Sequence, residues 1–366
     1  METILDQTIK DWELIVCDSY SDDGTWKYFQ KFKRDPRVKL YQVPREGLYA
    51  GWNECLRRVT GEYVYIATAD DTCSPILLEK MAGALDKTKE EVRGQGTEDR
   101  RQLSGNSLCA AIAGAADIPN IPSFRPADIA MCQFDFIDEK GSKIEPAPRH
   151  IPSDFFGEWN RIPHRRSGEI DLLVHLSLGV SWTTITSILF RRSLLGNAGL
   201  FRTDCGAFAD RFWAFKTALT SDIIAIPDSL ATWRFHPGQR SSLIDMMLSK
   251  RLWKETETTI AEIEDKLPQR WRQDKKWRDK LLFGSRHDYY ERYHLDRLSL
   301  KRSVGIFCRG LLAALHHEPL YVVKRIVSGL PWDETYRDSR KLLLEMIKEW
   351  NVPWPPQRSC DKTFES

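Results

Sequence analysis

Apolar positions along the first seventy residues follow two alternating rhythms. Trp12–Cys17 (Trp-Glu-Leu-Ile-Val-Cys) is a short run of the kind that forms a strand buried on both faces. It ends in Asp18-Ser19-Tyr20-Ser21-Asp22-Asp23-Gly24, a turn-rich cluster, after which Thr25–Arg34 reads as a helix closed by Asp35-Pro36. Val38–Val43 is a second strand, Gly47–Arg58 a helix after a glycine turn, and Gly61–Ala67 a third strand leading into Asp70-Asp71. Strands alternating with helices of this length predict an α/β fold: a mostly parallel sheet with helices on both faces. The three strands are expected in one sheet, with Asp18 and Asp70 at the same edge. Ligands of open sheets bind beyond the carboxyl ends of the strands, where both acidic clusters fall.

Further along, Pro75–Asp86 continues as a helix, and 87–127 loses any sustained period, which reads as an insertion. Ile129–Ile137 resumes as a strand before the turn Asp138-Glu139-Lys140-Gly141. Ile151–Gly168, aromatic and proline-containing, is expected to be a surface loop near the substrate cleft, with Arg165 and Arg166 solvated on it. Glu169–Leu178 and Ala209–Leu219 read as helices and Thr184–Phe190 as a strand. Ile223–Ile226 and Ala231–Phe235 are short strands around Pro227-Asp228. From about residue 242 the apolar spacing is helical to the end. The chain therefore divides into a domain over 1–241 and a helical extension over 242–366, which could cap the first part, drive self-association into a homo-oligomer or touch a partner.

Composition removes several classes. The chain has 366 residues, 42% hydrophobic and 29% charged, as an ordinary soluble globular protein does. With 54 basic against 52 acidic residues it lacks the concentrated positive charge of a nucleic-acid binder. No apolar stretch approaches the roughly 20 residues that span a bilayer, and no secretory leader is visible. The eight cysteines include no Cys-x-x-Cys pair and read as reduced thiols of a cytoplasmic protein.

The adjacent carboxylates Asp70 and Asp71, at the end of an apolar strand, are the first candidate chemistry. Their mutual repulsion is relieved in water or beside a cation, and Mg²⁺ is usually held by one or two carboxylates plus substrate phosphates. Helix capping is the commoner use of such a pair, so context has to decide. Here the order of motifs does so. Asp11–Val16, Asp18–Thr25, Asp35-Pro36-Arg37-Val38, Gly47–Asn53, Gly61-Glu62-Tyr63, Thr68–Asp71, Phe136–Glu139, Thr186–Leu194, Gly206–Trp213 and Trp233–Gln239 together resemble family 2 glycosyltransferases with the GT-A fold.

That resemblance implies a role for each matching position. Asp18 would receive the base or ribose of a nucleotide-sugar donor (a UDP-, GDP- or dTDP-sugar). Asp70 would meet the donor and, with Asp71, hold Mn²⁺ or Mg²⁺, with His236 as a further metal contact. Asp210 would be the catalytic base of an inverting transfer to a glycan, lipid-linked or protein acceptor, with Asp204 a rival nearby. Trp182, Trp213 and Trp233 could stack on sugars, although large aromatics more often serve packing. A nucleotidyltransferase is the competing enzyme class, but the Gly-rich, Lys-containing loop it needs is not seen. A non-catalytic binding or scaffold copy is the competing reading from outside enzymology.

Departures from the family pattern also carry expectations. Thr68 replaces the first acid of the usual Asp-x-Asp, and Trp52 stands where many members carry Arg. Members normally begin with a further strand before the helix that Glu2–Thr8 finishes. Either the start is assigned too late or this is a truncated, inactive copy. A sheet without that strand is expected to show a gap beside Trp12–Cys17 and to be poorly stable.

Overall fold

The computed structural model describes residues 1–98, 125–147, 151–182, 184–235, 246–290 and 335–358, with isolated positions 308, 312, 315, 316, 319 and 323. Its strands are β1 (Leu14–Asp18), β2 (Val38–Gln42), β3 (Tyr63–Tyr65), β4 (Ala127–Ile137), β5 (His164–Arg166), β6 (Ile188–Arg191), β7 (Asp222–Arg234) and β8 (Gln357–Arg358). The helices are α1 (Glu2–Leu5), α2 (Thr25–Gln30), α3 (Leu48–Leu56), α4 (Leu77–Glu98), α5 (Ile151–Phe156) and α6 (Gly168–Ser177). They continue with α7 (Leu194–Ala198), α8 (Ala209–Ala218), α9 (Met246–Ile263), α10 (Gln269–Arg272), α11 (Trp277–Tyr290) and α12 (Thr335–Glu349).

The α/β class and the helical C-terminal part are as expected, but the sheet is mixed. Six strands lie in the order β3-β6-β4-β7-β5-β8. Only β4 and β7 pair in parallel within it; β6 is antiparallel to both β3 and β4, and β5 to both β7 and β8. A strand entered by a tight turn reverses direction, whereas a parallel strand needs a long crossover. Here β6 follows directly on the 3₁₀ turn Ile185–Ser187. From these pairings β3, β4 and β7 point the same way, so their carboxyl ends share one edge.

The three N-terminal strands do not join in one sheet, contrary to expectation. β1 pairs in parallel with β2, from Leu14 opposite Val38 to Asp18 opposite Gln42, as a separate two-stranded sheet. β3 pairs with β6 instead. The two sheets are joined beside β1 by a side chain. The Glu13 carboxylate accepts the Thr60 hydroxyl at 2.7 Å and the Gly61 N–H at 3.2 Å, and pairs with Lys39 at 2.6 Å. Against the burial that raises it, these partners hold the Glu13 pKa at about 2.

Three further expectations change. α4 runs on to Glu98, so residues 87–98 are helical; the remainder of the expected insertion, 99–124, lies outside the described residues. The expected surface loop 151–168 instead carries α5, a 3₁₀ turn and β5. Phe155 and Phe156 are buried, and Arg166 is paired with Asp171 at 3.2 Å with both side chains fully covered. Ile223–Ile226 and Ala231–Phe235 are parts of one strand, β7, whose pairing with β4 shifts register between Cys132 and Phe134. Pro227 lies in that irregularity, where its missing N–H costs no ladder bond.

α6 is enclosed nearly all round by other elements, and its side chains are mostly apolar. Ile170, Leu172, Leu173, Val174 and Leu176 are all buried, and α8, α11 and α12 pack around the helix. The C-terminal helices therefore share one apolar core with the N-terminal part, and β8 adds to the sheet's edge. α11 comes close to α6 at Gly284: a Cβ there would lie 2.7 Å from the carbonyl oxygens of Leu176 and Ser177.

Two stability outcomes follow from this packing. Gly284→Ala is expected to destabilise by about 1–3 kcal/mol through overpacking against backbone, read as a lower urea midpoint. Glu13, depressed in the fold, contributes stability above its ordinary value of 4.5 that is lost as pH falls towards 2. Glu13→Gln should therefore be less stable at neutral pH, the difference from the parent closing through that acid window in paired urea titrations.

Candidate active site

Beyond β3 the chain turns through Thr68–Asp71, and the two acids are held very differently. Asp71 is half-buried. Its Oδ2 accepts the Thr68 hydroxyl at 2.7 Å and the Thr186 hydroxyl at 3.2 Å, and its Oδ1 accepts the Arg234 N–H at 2.8 Å. Burial pushes its carboxyl above the ordinary range, while the bonds from Arg234, Thr68 and Thr186 pull it back. Asp70 is exposed at the edge. Its carbonyl accepts Arg234 Nε at 2.6 Å, and Arg234 Nη1 reaches the carbonyls of Asp138 at 2.7 Å and Glu139 at 3.1 Å. One arginine at the end of β7 thus ties together the segments that follow β3 and β4. Beside it the half-buried Trp233 ring packs on Phe136, with centroids 5.2 Å apart. Trp182 and Trp213 are buried, which assigns them to packing.

Asp18 closes β1. It is buried, and its Oδ2 accepts the Ser21 N–H at 3.0 Å, shaping the acidic turn. Arg45 braces the same turn by donating to the carbonyls of Ser19 at 3.1 Å and Tyr20 at 2.8 Å. Tyr20 stands at φ 53°, a left-handed conformation, with its side chain 61% exposed.

Asp210 opens α8. Its Oδ1 accepts the Arg211 N–H at 2.8 Å, and its carboxylate is hydrogen-bonded to Tyr49 of α3. Burial raises its pKa, opposed by those hydrogen bonds. The rival Asp204 is exposed and engaged by Arg202 through two bonds of 2.9 Å, which holds its carboxyl below the usual range. Asp204 is thus exposed and ion-paired, whereas Asp210 is half-buried and hydrogen-bonded. The loop before α8 is clamped to α3 by Asn53, which donates to Phe201 O at 2.8 Å and accepts from Phe201 N at 3.0 Å.

Tyr49, Thr186 and Arg234 went unrecognised as individual residues in the sequence. Thr186 and Arg234 lie in segments that resemble the family, but hydroxyls and guanidinium groups carry no spacing signature of their own. Among the described residues no group of three or more His, Cys, Asp or Glu is placed to hold a metal ion. His236 lies outside the described residues. The exposed Asp70 carboxylate beside Asp71 suits a cation whose remaining ligands are phosphate and water oxygens.

Residues 1–103 match the model of Glycosyl transferase family 2. That segment is similar to family 2 of the glycosyltransferases. EpsE of Bacillus subtilis, designated a glycosyltransferase, is 38% identical over 126 residues, covering 33% of this chain and 43% of EpsE. TuaG of the same organism, designated a teichuronic acid biosynthesis glycosyltransferase, is 33% identical over 82 residues, 22% of this chain and 32% of TuaG. The chain thus matches less than half the length of either relative. Staphylococcus aureus TarS, solved with UDP-GlcNAc, superposes with a TM-score of 0.54 at 14% identity, covering 98% of this chain and 94% of that one. The shared architecture is the GT-A fold.

The unequal settings of the two acids separate their mutants. Asp71→Ala removes the acceptor of the Thr68 hydroxyl and the Arg234 N–H and one partner of Thr186, and is expected to cost about 1–3 kcal/mol of stability, whereas Asp70→Ala should stay within about 0.5 kcal/mol of the parent. Urea denaturation followed by tryptophan fluorescence compares them directly.

Proposed function

We propose that this protein is an inverting glycosyltransferase that moves a sugar from a nucleotide-sugar donor to an acceptor hydroxyl. The observation that carries the reading is the Arg234 tie, which gathers the segments after β3 and β4 around the exposed Asp70 in a chain whose first 103 residues match the family. TarS, a fold neighbour solved with UDP and with UDP-GlcNAc, supports a uridine nucleotide as donor. Asp18 would receive the nucleoside, and Asp70 with Asp71 would hold Mn²⁺ or Mg²⁺, His236 adding a ligand from beyond β7. The cation, when bound, offsets the negative charge of the departing diphosphate.

Asp210 serves as the base. It removes the acceptor's hydroxyl proton as that oxygen attacks the anomeric carbon and the bond to the diphosphate breaks. A half-buried carboxylate with a raised pKa is a stronger base than one in water, and the Tyr49 bond keeps its ionised form available and aimed. A nucleotide-binding copy without turnover is the second reading, favoured by the absence of any pairing between β1 and β3.

Calorimetry with UDP and an assay of UDP-sugar turnover distinguish the two. Asp210→Asn should lower turnover by about 10²–10⁴-fold while leaving UDP affinity unchanged. Asp70→Ala should weaken Mn²⁺-dependent UDP binding at least about tenfold. Because the base acts ionised, turnover should rise with pH through a value above the ordinary 3.8 of an aspartate. UDP binding with no turnover in the parent would select the second reading.

A further inference from the structure

The acidic turn after β1 holds one side chain that the fold does not account for. Tyr20 stands at φ 53°, in the left-handed region where a bulky residue is a strained outlier. Among the described residues one other non-glycine residue has a positive φ, Asn351 at 49°, and asparagine tolerates that region through local hydrogen bonding. Packing does not offset the strain at Tyr20. Its side chain is 61% exposed, more than any other Phe, Tyr or Trp among the described residues. No described ring or cation lies against it.

The conformation is nonetheless enforced from two sides. The Asp18 carboxylate accepts the Ser21 N–H at 3.0 Å, which closes the turn around residues 19 and 20. Arg45 donates to the carbonyls of Ser19 at 3.1 Å and Tyr20 at 2.8 Å from beyond β2. These bonds fix the backbone and leave the ring in solvent. Strain that its surroundings over-determine in this way gathers at ligand clamps and active sites.

Charge decides which part of a ligand the ring meets. The turn carries the carboxylates of Asp18, Asp22 and Asp23 against the one guanidinium of Arg45, and Asp22 and Asp23 are exposed. A phosphate is repelled there, and an uncharged group with N–H donors is attracted. Asp18 can serve such a donor: Ser21 uses its Oδ2, while its Oδ1 takes no hydrogen bond from the described residues. A flat exposed ring in the same turn as a free carboxylate oxygen matches a nucleobase, which presents a π-face and an N–H edge together.

We propose that Tyr20 stacks on the nucleobase of the donor and supplies much of the affinity for it. The ring covers one face of the base, Asp18 accepts a base N–H, and the diphosphate extends away from the turn towards Asp70. This inference deepens the nucleotide-sugar reading and rests on it.

The test is calorimetry on the full chain with Mn²⁺, using UDP and, as a probe without a base, inorganic pyrophosphate. Tyr20→Gly relieves the strain and should melt no lower than the parent. It should nevertheless bind UDP at least about fivefold more weakly, with pyrophosphate affinity unchanged. Tyr20→Leu should lose affinity similarly, whereas Tyr20→Phe should stay within about twofold of the parent, because stacking uses the ring and not the hydroxyl. The uracil H5 and H6 proton resonances should move upfield on binding to the parent and not on binding to Tyr20→Gly. Unchanged UDP affinity in Tyr20→Gly would overturn the stacking, as would an equal loss of pyrophosphate affinity or an equal loss in Tyr20→Phe. A Tyr20→Gly chain melting well below the parent would make Tyr20 a support of the turn and also overturn it. A parent that binds none of UDP, GDP and dTDP removes the nucleotide-sugar reading and this inference with it, whereas UDP binding indifferent to Tyr20 removes this inference alone.

Discussion

Arg234 is the contact on which the functional edge depends. Its backbone N–H and guanidinium together satisfy Asp71, the Asp70 carbonyl and the carbonyls of Asp138 and Glu139. Those acceptors lie in the two segments that follow β3 and β4. Carbonyls at strand ends have no ladder partner, and a buried carboxylate without donors is costly. One residue meets both needs, its guanidinium serving the carbonyls and its backbone N–H the carboxylate, and leaves the Asp70 side chain exposed. Asp71 then reads as the support of the site as much as a participant in it.

α3 plays a comparable part for the opposite wall. It rests on β1, fixes the Phe201 loop through Asn53, and presents Tyr49 to Asp210. Tyr49, Trp52, Phe201 and Trp213 form a continuous set of ring contacts between 5.0 and 5.7 Å. A helix held this rigidly transmits a displacement at either end, because a close-packed interior has little free volume to absorb it.

The helical C-terminal part belongs to the same core. α6 is buried along most of its surface, and α8, α11 and α12 supply the cover. Trp271 and Trp350 stack at 5.1 Å within that cover, and β8 extends the sheet beyond β5. The fully enclosed Arg166–Asp171 pair lies below it, each charge made tolerable by the other.

The sequence by itself determined the alternation of strands and helices, most element positions to within a few residues, and the acidic turns at strand ends. Those features are written in local periodicity and turn chemistry, which neighbouring residues are sufficient to express. Strand pairing was not legible. An apolar run such as Trp12–Cys17 looks the same whether it joins a large sheet or pairs with β2 alone, and direction depends on which edge the chain returns to. Nor could the sequence show that Arg166 is buried, that Asp71 is pinned while Asp70 is open, or that Tyr49 meets Asp210. Those facts arise from contacts between residues far apart in the chain, and only the tertiary structure decides which side chains share water and which share each other.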